Sequence, residues 1–242
     1  MNLIQETMAI SANTLFRFVT DIKWLKKVLE DCAFEPRYSI EYDKEQEDGS
    51  YYAIPMVCFC DITLTEIKEH VKDYGCYGIG LAKQWAKNNV SPVIYFNNKS
   101  SLVKTIYEKL NEKLNETTLD SQSTFLFCLL KKYYGYTWSS AIGNKKQKIL
   151  YNEREWRFVP RKISPKILRI KVNKAKDFSN ENEKIKDKSL KFTYKDVKYI
   201  IIGKEDERLN MIKFLKKTIQ DNVTCDMLSS KILTLKQIKE DF

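Results

Sequence analysis

One histidine stands in the 242 residues, His70. Any Ser–His or Cys–His nucleophile pair would have to use it, so hydrolase chemistry has little to work with. Its place on the apolar side of a predicted helix also suits a histidine satisfied in a core. Seven glycines and five prolines exclude collagen-like and low-complexity architectures. The six cysteines (Cys32, Cys58, Cys60, Cys76, Cys128, Cys225) form no C-x-x-C and lie far from His70 in ligand spacing. Zinc is therefore not expected, and no metal site is assigned; reduced, buried thiols fit better. No apolar run approaches the roughly 18–20 residues of a transmembrane helix. The first 15 residues carry Glu6 and lack a basic region followed by an apolar one, so no signal peptide is read. A soluble, cytoplasmic protein without a membrane partner is the expectation.

What is present is an apolar fraction of 43%, with 12% aromatics, enough for a packed core. Lysine and arginine total 42 against 32 acids, a net charge of +10. Such a surplus favours an anionic partner, nucleic acid or an acidic protein. Many of these lysines alternate with acids, however, as on a solvated face.

Periodicity gives alternating short strands and helices. Leu15–Val19 and Val57–Cys60 read as strands, the second apolar at every position and suited to burial on both faces. Between them, Ile22, Leu25, Val28, Leu29 and Cys32 share a helix face, and Glu41–Ser50 reads as a polar loop. Thr63 and Glu66 make a capping box before a helix that Gly75 ends, with Ile62 and Ile67 placed as a staple. Tyr77–Leu81 is a glycine-containing strand, Lys83–Asn88 a short helix and Val93–Phe96 a strand. Val103–Leu119 and Phe125–Tyr134 read as helices, a helical insertion at about 100–135. Gly135–Lys148 reads as loop and Leu150–Val159 opens a second β region. Leu168, Ile170 and Val172 alternate with Arg169 and Lys171 as in a half-buried strand. Asn173–Ser189 reads as a mobile loop. Strands at Leu190–Tyr194 and Val197–Ile202, a helix through Leu209, Ile212, Leu215 and Ile219, and a helical tail close a C-terminal strand–helix unit at 190–242. The expectation is one α+β domain over 1–242 around a central mixed or antiparallel sheet.

Three segments carry possible chemistry. In Glu153-Arg-Glu-Trp-Arg-Phe158, alternation places Glu153, Glu155 and Arg157 on one strand face, opposite Trp156 and Phe158. Two carboxylates beside a guanidinium make a catalytic or ligand-binding surface, or a cross-strand salt bridge. Tyr74-Gly-Cys-Tyr-Gly-Ile-Gly80 holds three of the glycines, where a ligand could approach the backbone or strands could cross tightly. It is not G-x-G-x-x-G opening a helix, so no dinucleotide fingerprint is read. Arg17 interrupts an apolar strand; buried, it needs an anion, which Glu153, Glu155 or a phosphate could supply, whereas on an edge strand it could face water. A further stretch, Pro160–Lys176, carries Arg161, Lys162, Lys166, Arg169, Lys171, Lys174 and Lys176 without an acid. It would be a cationic ribbon for phosphates or an acidic protein, or simply a solvated face.

These words resemble the AbiGi family of bacterial abortive-infection proteins. The matching residues are Leu15-Phe-Arg-Phe-Val19 with the Leu25…Leu29 helix, Ala53-Ile-Pro-Met-Val-Cys-Phe-Cys-Asp-Ile62, and Ile67-Lys-Glu-His70 to Tyr74-Gly-Cys-Tyr-Gly-Ile-Gly-Leu81. Trp85, Pro92-Val-Ile-Tyr95, Glu153-Arg-Glu-Trp-Arg-Phe-Val159 and the Val197–Gly203 strand complete the resemblance. One departure is that the family pattern commonly has histidine where Arg17 stands. The resemblance implies anti-phage defence, as the antitoxin of a two-gene system whose nearby-encoded partner is a nucleotidyltransferase-like toxin. The order of these elements also looks like ADP-ribosyltransferases, including the DarT type that modifies nucleic acid. That likeness implies an ADP-ribosyltransferase-like fold with NAD as cofactor if the protein is an enzyme; the residues themselves establish no cofactor. Carried over by position, Arg17 would hold NAD, Glu155 would be the catalytic carboxylate with Glu153 assisting, and Tyr77 would stack on nicotinamide beside Gly78 and Gly80. A Ser-Thr-Ser on a middle strand, part of that pattern, is missing.

Overall fold

The computed structural model describes residues 12–97, 99–115, 121–139, 144–160, 167–171 and 177–241. In chain order the elements are β1 (Thr14–Val19), α1 (Ile22–Asp31), β2 (Ala33–Phe34), β3 (Arg37–Glu41), β4 (Ser50–Cys60), α2 (Ile67–Tyr74), β5 (Tyr77–Ala82) and α3 (Lys83–Ala86). Then come β6 (Ser91–Pro92), β7 (Ile94–Phe96), α4 (Ser101–Asn115), α5 (Ser121–Leu129), β8 (Leu130–Lys132), β9 (Tyr134–Ser139), β10 (Asn144–Ile149) and β11 (Glu155–Phe158). The chain closes through β12 (Leu168–Lys171), α6 (Ser179–Glu183), β13 (Leu190–Lys191), β14 (Val197–Ile202), α7 (Arg208–Thr218), α8 (Asn222–Ser229), β15 (Ile232–Thr234) and α9 (Leu235–Asp241).

The main sheet runs β15-β14-β5-β1-β4-β11-β6, with β3 and β12 also paired to β4. Only β14–β15 is parallel within it, so the molecule is α+β with a mixed sheet. Alternation on β1 sends Leu15 to a face covered by α1, α7 and α8, where Leu25, Leu29, Met211, Leu215 and Leu228 pack. Phe16 and Phe18 go to the other face with Ile67 and Val71 of α2 and Leu235 and Ile238 of α9. Burial on both faces explains why β1, β4 and β14 lack polar alternation. Among the described residues no helix is long and apolar enough to cross a membrane.

Gly75 terminates α2 as expected, at φ +104°, its N–H donating to the Val71 carbonyl at 3.0 Å. A Cβ there would stand 2.2 Å from the Val19 carbonyl oxygen, so only glycine lets α2 end against β1. The capping box does not form. Thr63 makes no cap bond, and residues Leu64–Glu66 form a 3-10 turn that leads into α2. Ile62 and Ile67 nevertheless pack in one cluster.

Four segments differ from their sequence reading. Gly135–Lys148 is not a loop: β9 and β10 pair from Tyr134↔Ile149 to Ser139↔Asn144. The Phe125–Tyr134 helix stops at Leu129, because Leu130–Lys132 pairs in parallel with β7; the insertion therefore ends in strand. Asn173–Ser189 holds α6 and a 3-10 turn at Lys186–Lys188, anchored by buried Phe178 and Ile185. Arg37–Glu41 is a strand, and the polar segment after it buries Asp43 and Lys44.

Candidate functional site

Strand β4 organises the site. β11 (Glu155↔Cys60 to Phe158↔Val57) and then β12 (Leu168↔Ala53 to Lys171↔Ser50) follow one another along one edge. Along the other edge, β3 pairs from Glu41↔Tyr52 to Arg37↔Met56, while β1 joins only at Phe16↔Cys60. β1 meanwhile keeps a full ladder with β5 from Thr14 to Val19. The sheet is thus split between β1 and β3, and a cavity of about 630 Å³ opens there. Arg17 stands at the split, its Nη1 donating to the Cys58 carbonyl at 2.9 Å.

The cavity floor is a buried ionic network. Arg157 Nε donates to Glu155 Oε1 at 2.7 Å and its Nη2 to Glu155 Oε2 at 3.1 Å, while Nη1 reaches Glu41 Oε2 at 2.8 Å and the Cys128 carbonyl at 2.6 Å. Lys131 Nζ bridges Glu155 at 2.6 Å and Glu153 at 2.8 Å. Lys148 reaches Glu153 at 2.9 Å and Asp73 at 3.3 Å, Lys146 reaches Asp73 at 2.6 Å, and Tyr74 donates its hydroxyl to Glu153. Lys44 lies 3.1 Å from Glu41 and 3.7 Å from Asp43. The backbone N–H of Glu155 donates to the Tyr95 hydroxyl at 2.9 Å.

Burial alone would raise the carboxyls of Glu41, Glu153 and Glu155, but their cations overcome it and hold each at about 2. Arg157 opposes burial most at Glu41 and Glu155, Lys131 at Glu153. Burial pushes the Cys58 and Cys60 thiols well up, so both stay protonated and unreactive. Burial also lowers His70 to about 4. It is neutral near pH 7, stacked on Tyr74 with ring centroids 4.4 Å apart.

Arg17, Glu153, Glu155 and Tyr74 therefore line one cavity. Tyr77, Gly78 and Gly80 do not. Tyr77 donates its hydroxyl to Glu207 at 2.6 Å, and the rings of Phe18 and Phe16 lie over Gly78 and Gly80. A Cβ at either glycine would stand 2.7 or 2.8 Å from a ring carbon, so these glycines serve close packing between β1 and β5. Glu155 and Arg157 share a face as alternation predicts, with Trp156 and Phe158 packed toward the opposite one. Glu153 is not on that strand. It belongs to a 3-10 turn at Leu150–Glu153, and Arg154, at φ 42°, breaks the alternation.

In the basic stretch, Arg169 and Lys171 are exposed on β12, with Asp48 3.1 and 4.0 Å away. Arg161, Lys162, Lys166, Lys174 and Lys176 lie outside the described residues. Sequence reading missed Lys131, Lys44, Glu41 and Asp43, which share the network with Glu153 and Glu155. A hint was available in Lys131, which follows the apolar run Phe125–Leu130 without a break.

The comparisons with known proteins point to phage defence as the class. A family model described as "Putative abortive phage resistance protein AbiGi, antitoxin" matches residues 27–203. The chain belongs to this AbiGi family. It is 28% identical to the abortive phage resistance protein AbiGi of Lactococcus lactis subsp. cremoris over 248 aligned positions, covering 87% of this chain and 100% of that protein. No solved structure matches.

Proposed function

We propose that this protein is a cytoplasmic antitoxin of an abortive-infection system, and that it restrains a nucleotidyltransferase-like toxin encoded nearby by binding it. Family membership supports the role. One structural observation carries the binding mode. Tyr134 and Tyr136 alternate on β9, with Ile149 opposite Tyr134 and the stacked Tyr133–Tyr151 pair beside them, all 38–48% exposed. Clustered exposed aromatics are what a protein partner buries at an interface core. Lys145, over the Tyr136 ring at 5.3 Å, supplies a positive rim for an acidic partner. The experiment is co-expression with the neighbouring gene product, followed by growth and co-purification. Wild-type protein should restore growth and co-purify, and Tyr134→Ser with Tyr136→Ser should lose both while folding normally. A wild-type protein that neither rescues nor binds refutes the antitoxin role.

One observation favours a second reading, an ADP-ribosyltransferase-like enzyme using NAD to modify nucleic acid or protein: Arg17 and Glu155 line the same cavity. Against it, both oxygens of Glu155 are already held by Arg157 and Lys131, so the carboxylate would have to be released before it could stabilise a developing positive charge on ribose. Release of nicotinamide from NAD by the purified protein would support this reading.

A further inference from the structure

Among the described residues lining the cavity, Arg17 is the cation that stands outside its ionic network. The carboxylates of that network, Glu41, Asp43, Asp73, Glu153 and Glu155, all meet lysine or arginine. Among the described residues Arg17 makes no ion pair, and its bond to the Cys58 carbonyl engages one nitrogen of a five-donor fork. Burial lowers its pKa, and Arg37 nearby adds to the effect. The site thus holds a partly desolvated guanidinium facing space, the situation an anion relieves.

Two aromatic pairs bound the same space. Tyr38 and Phe178 stack at 5.8 Å between centroids, Tyr42 and Trp138 at 6.0 Å, and all four rings line the cavity with the hydroxyl-bearing Ser39 and Thr137. A volume of about 630 Å³ lies within the ~300–1,000 Å³ typical of small-molecule sites. The lining thus offers π-faces to a flat ring, a fork donor to an anionic group, and hydroxyls as further polar contacts. We infer that the cavity binds a ligand of the nucleoside monophosphate class, with its phosphate on Arg17 and its base against these aromatic pairs. Binding uses no group transfer and leaves Glu155 in its ion pairs, so it stands apart from both readings of function above.

The test is titration of the full-length protein with 5′-AMP, 5′-GMP, 5′-CMP and 5′-UMP by calorimetry and tryptophan fluorescence, with adenosine and inorganic phosphate as controls. At least one monophosphate should bind, at least about tenfold tighter than either control, a difference of about 1.4 kcal/mol. Arg17→Gln should weaken that binding by about tenfold or more, since a charge-assisted fork is lost. Arg17→Lys, which keeps the charge, should fall between the two and serves if the glutamine variant does not fold. Failure of all four monophosphates to bind overturns the inference, as does adenosine binding as tightly as AMP or full affinity in both Arg17 variants. NAD cleavage without monophosphate binding would also overturn it and would support the enzymatic reading instead.

Discussion

Arg157 is the residue on which the buried network turns, since it alone satisfies Glu155 bidentately and reaches Glu41. Removing one partner of a buried ion pair strands the other, at a cost of about 3–5 kcal/mol. Arg157→Ala should therefore lower unfolding free energy by about that amount in denaturant titration; a loss under about 1 kcal/mol would contradict the network's burial. Acid should attack the same place. Glu41, Glu153 and Glu155 sit at about 2 in the folded protein against an ordinary 4.5. Between these values the unfolded chain binds more protons, so their contribution to stability is present above about 4.5 and is lost as pH falls toward 2. His70, at about 4 rather than 6.5, adds the same sign in a higher window: stability falls as pH drops from 6.5 toward 4. Denaturation midpoints measured from pH 7 to 2 should decline in both windows, and His70→Gln should flatten only the upper one.

At the scale of elements, the junction of α2 and β5 depends on absent side chains. Gly78→Ala and Gly80→Ala each set a methyl against a phenylalanine ring, which can shift. Gly75→Ala meets the Val19 backbone at a positive φ and has no such escape. It should cost at least about 2 kcal/mol and more than either ring-facing change, as read by thermal or chemical melts. The reverse order would mean that α2 does not end against β1. The β9–β10 hairpin shows the opposite case, an element whose apolar face is not spent on the core. Its alternation of Tyr134, Tyr136 and Trp138 is a strand period, and Gly143-Asn144 a turn signal, yet lysine-rich β10 (Lys145, Lys146, Lys148) reads as loop. Only tertiary pairing of Lys146 and Lys148 with Asp73, and of Lys148 with Glu153, explains why those lysines sit on a strand.

Over the whole molecule the surplus is +10, and the ionic network sets its cations against carboxylates, so the excess is carried by residues outside that network. If the proposed partner is acidic, its association should weaken as salt rises, because screening shortens to about 8 Å at physiological ionic strength. Arg169→Glu with Lys171→Glu should slow that association without changing the melting temperature, as both side chains are exposed. Nucleic acid offers the contrast: its binding would show a steep, linear dependence of log affinity on log salt. A charge-reversed protein that associates as fast as wild type would make β12 an ordinary solvated face.

Hydrophobic pattern alone determined β1, β5, β14, the Val57–Cys60 end of β4 and the Glu155–Phe158 part of the Leu150–Val159 region, since strands buried on both faces need continuous apolar runs or two-residue alternation, and those are local properties. The Ser50–Met56 part of β4 and its pairing with β3 and β12 were not read. The Pro-Met-Val-Cys-Phe-Cys-Asp and Tyr-Gly-Cys-Tyr-Gly words likewise carried the AbiGi resemblance, now matched by the family model. Arg17 was also legible, as a charge among apolar neighbours, and Glu155 as a carboxylate sharing a strand face with Arg157. Which charges surround them was not. Lys131 and Glu153 lie 22 residues apart in sequence and Lys44 and Leu130 lie 86 apart, yet each pair touches. The Glu155–Arg157 pair is written in one segment, but the Lys131, Lys148 and Glu41 contacts that complete the network are not: each of these partners looks solvated until the sheet splits between β1 and β3. Only tertiary structure decided that Glu155 is held on both oxygens and that Arg17, among the described residues, meets a carbonyl rather than a carboxylate. Charge compensation is a property of three-dimensional proximity and carries no period along the chain.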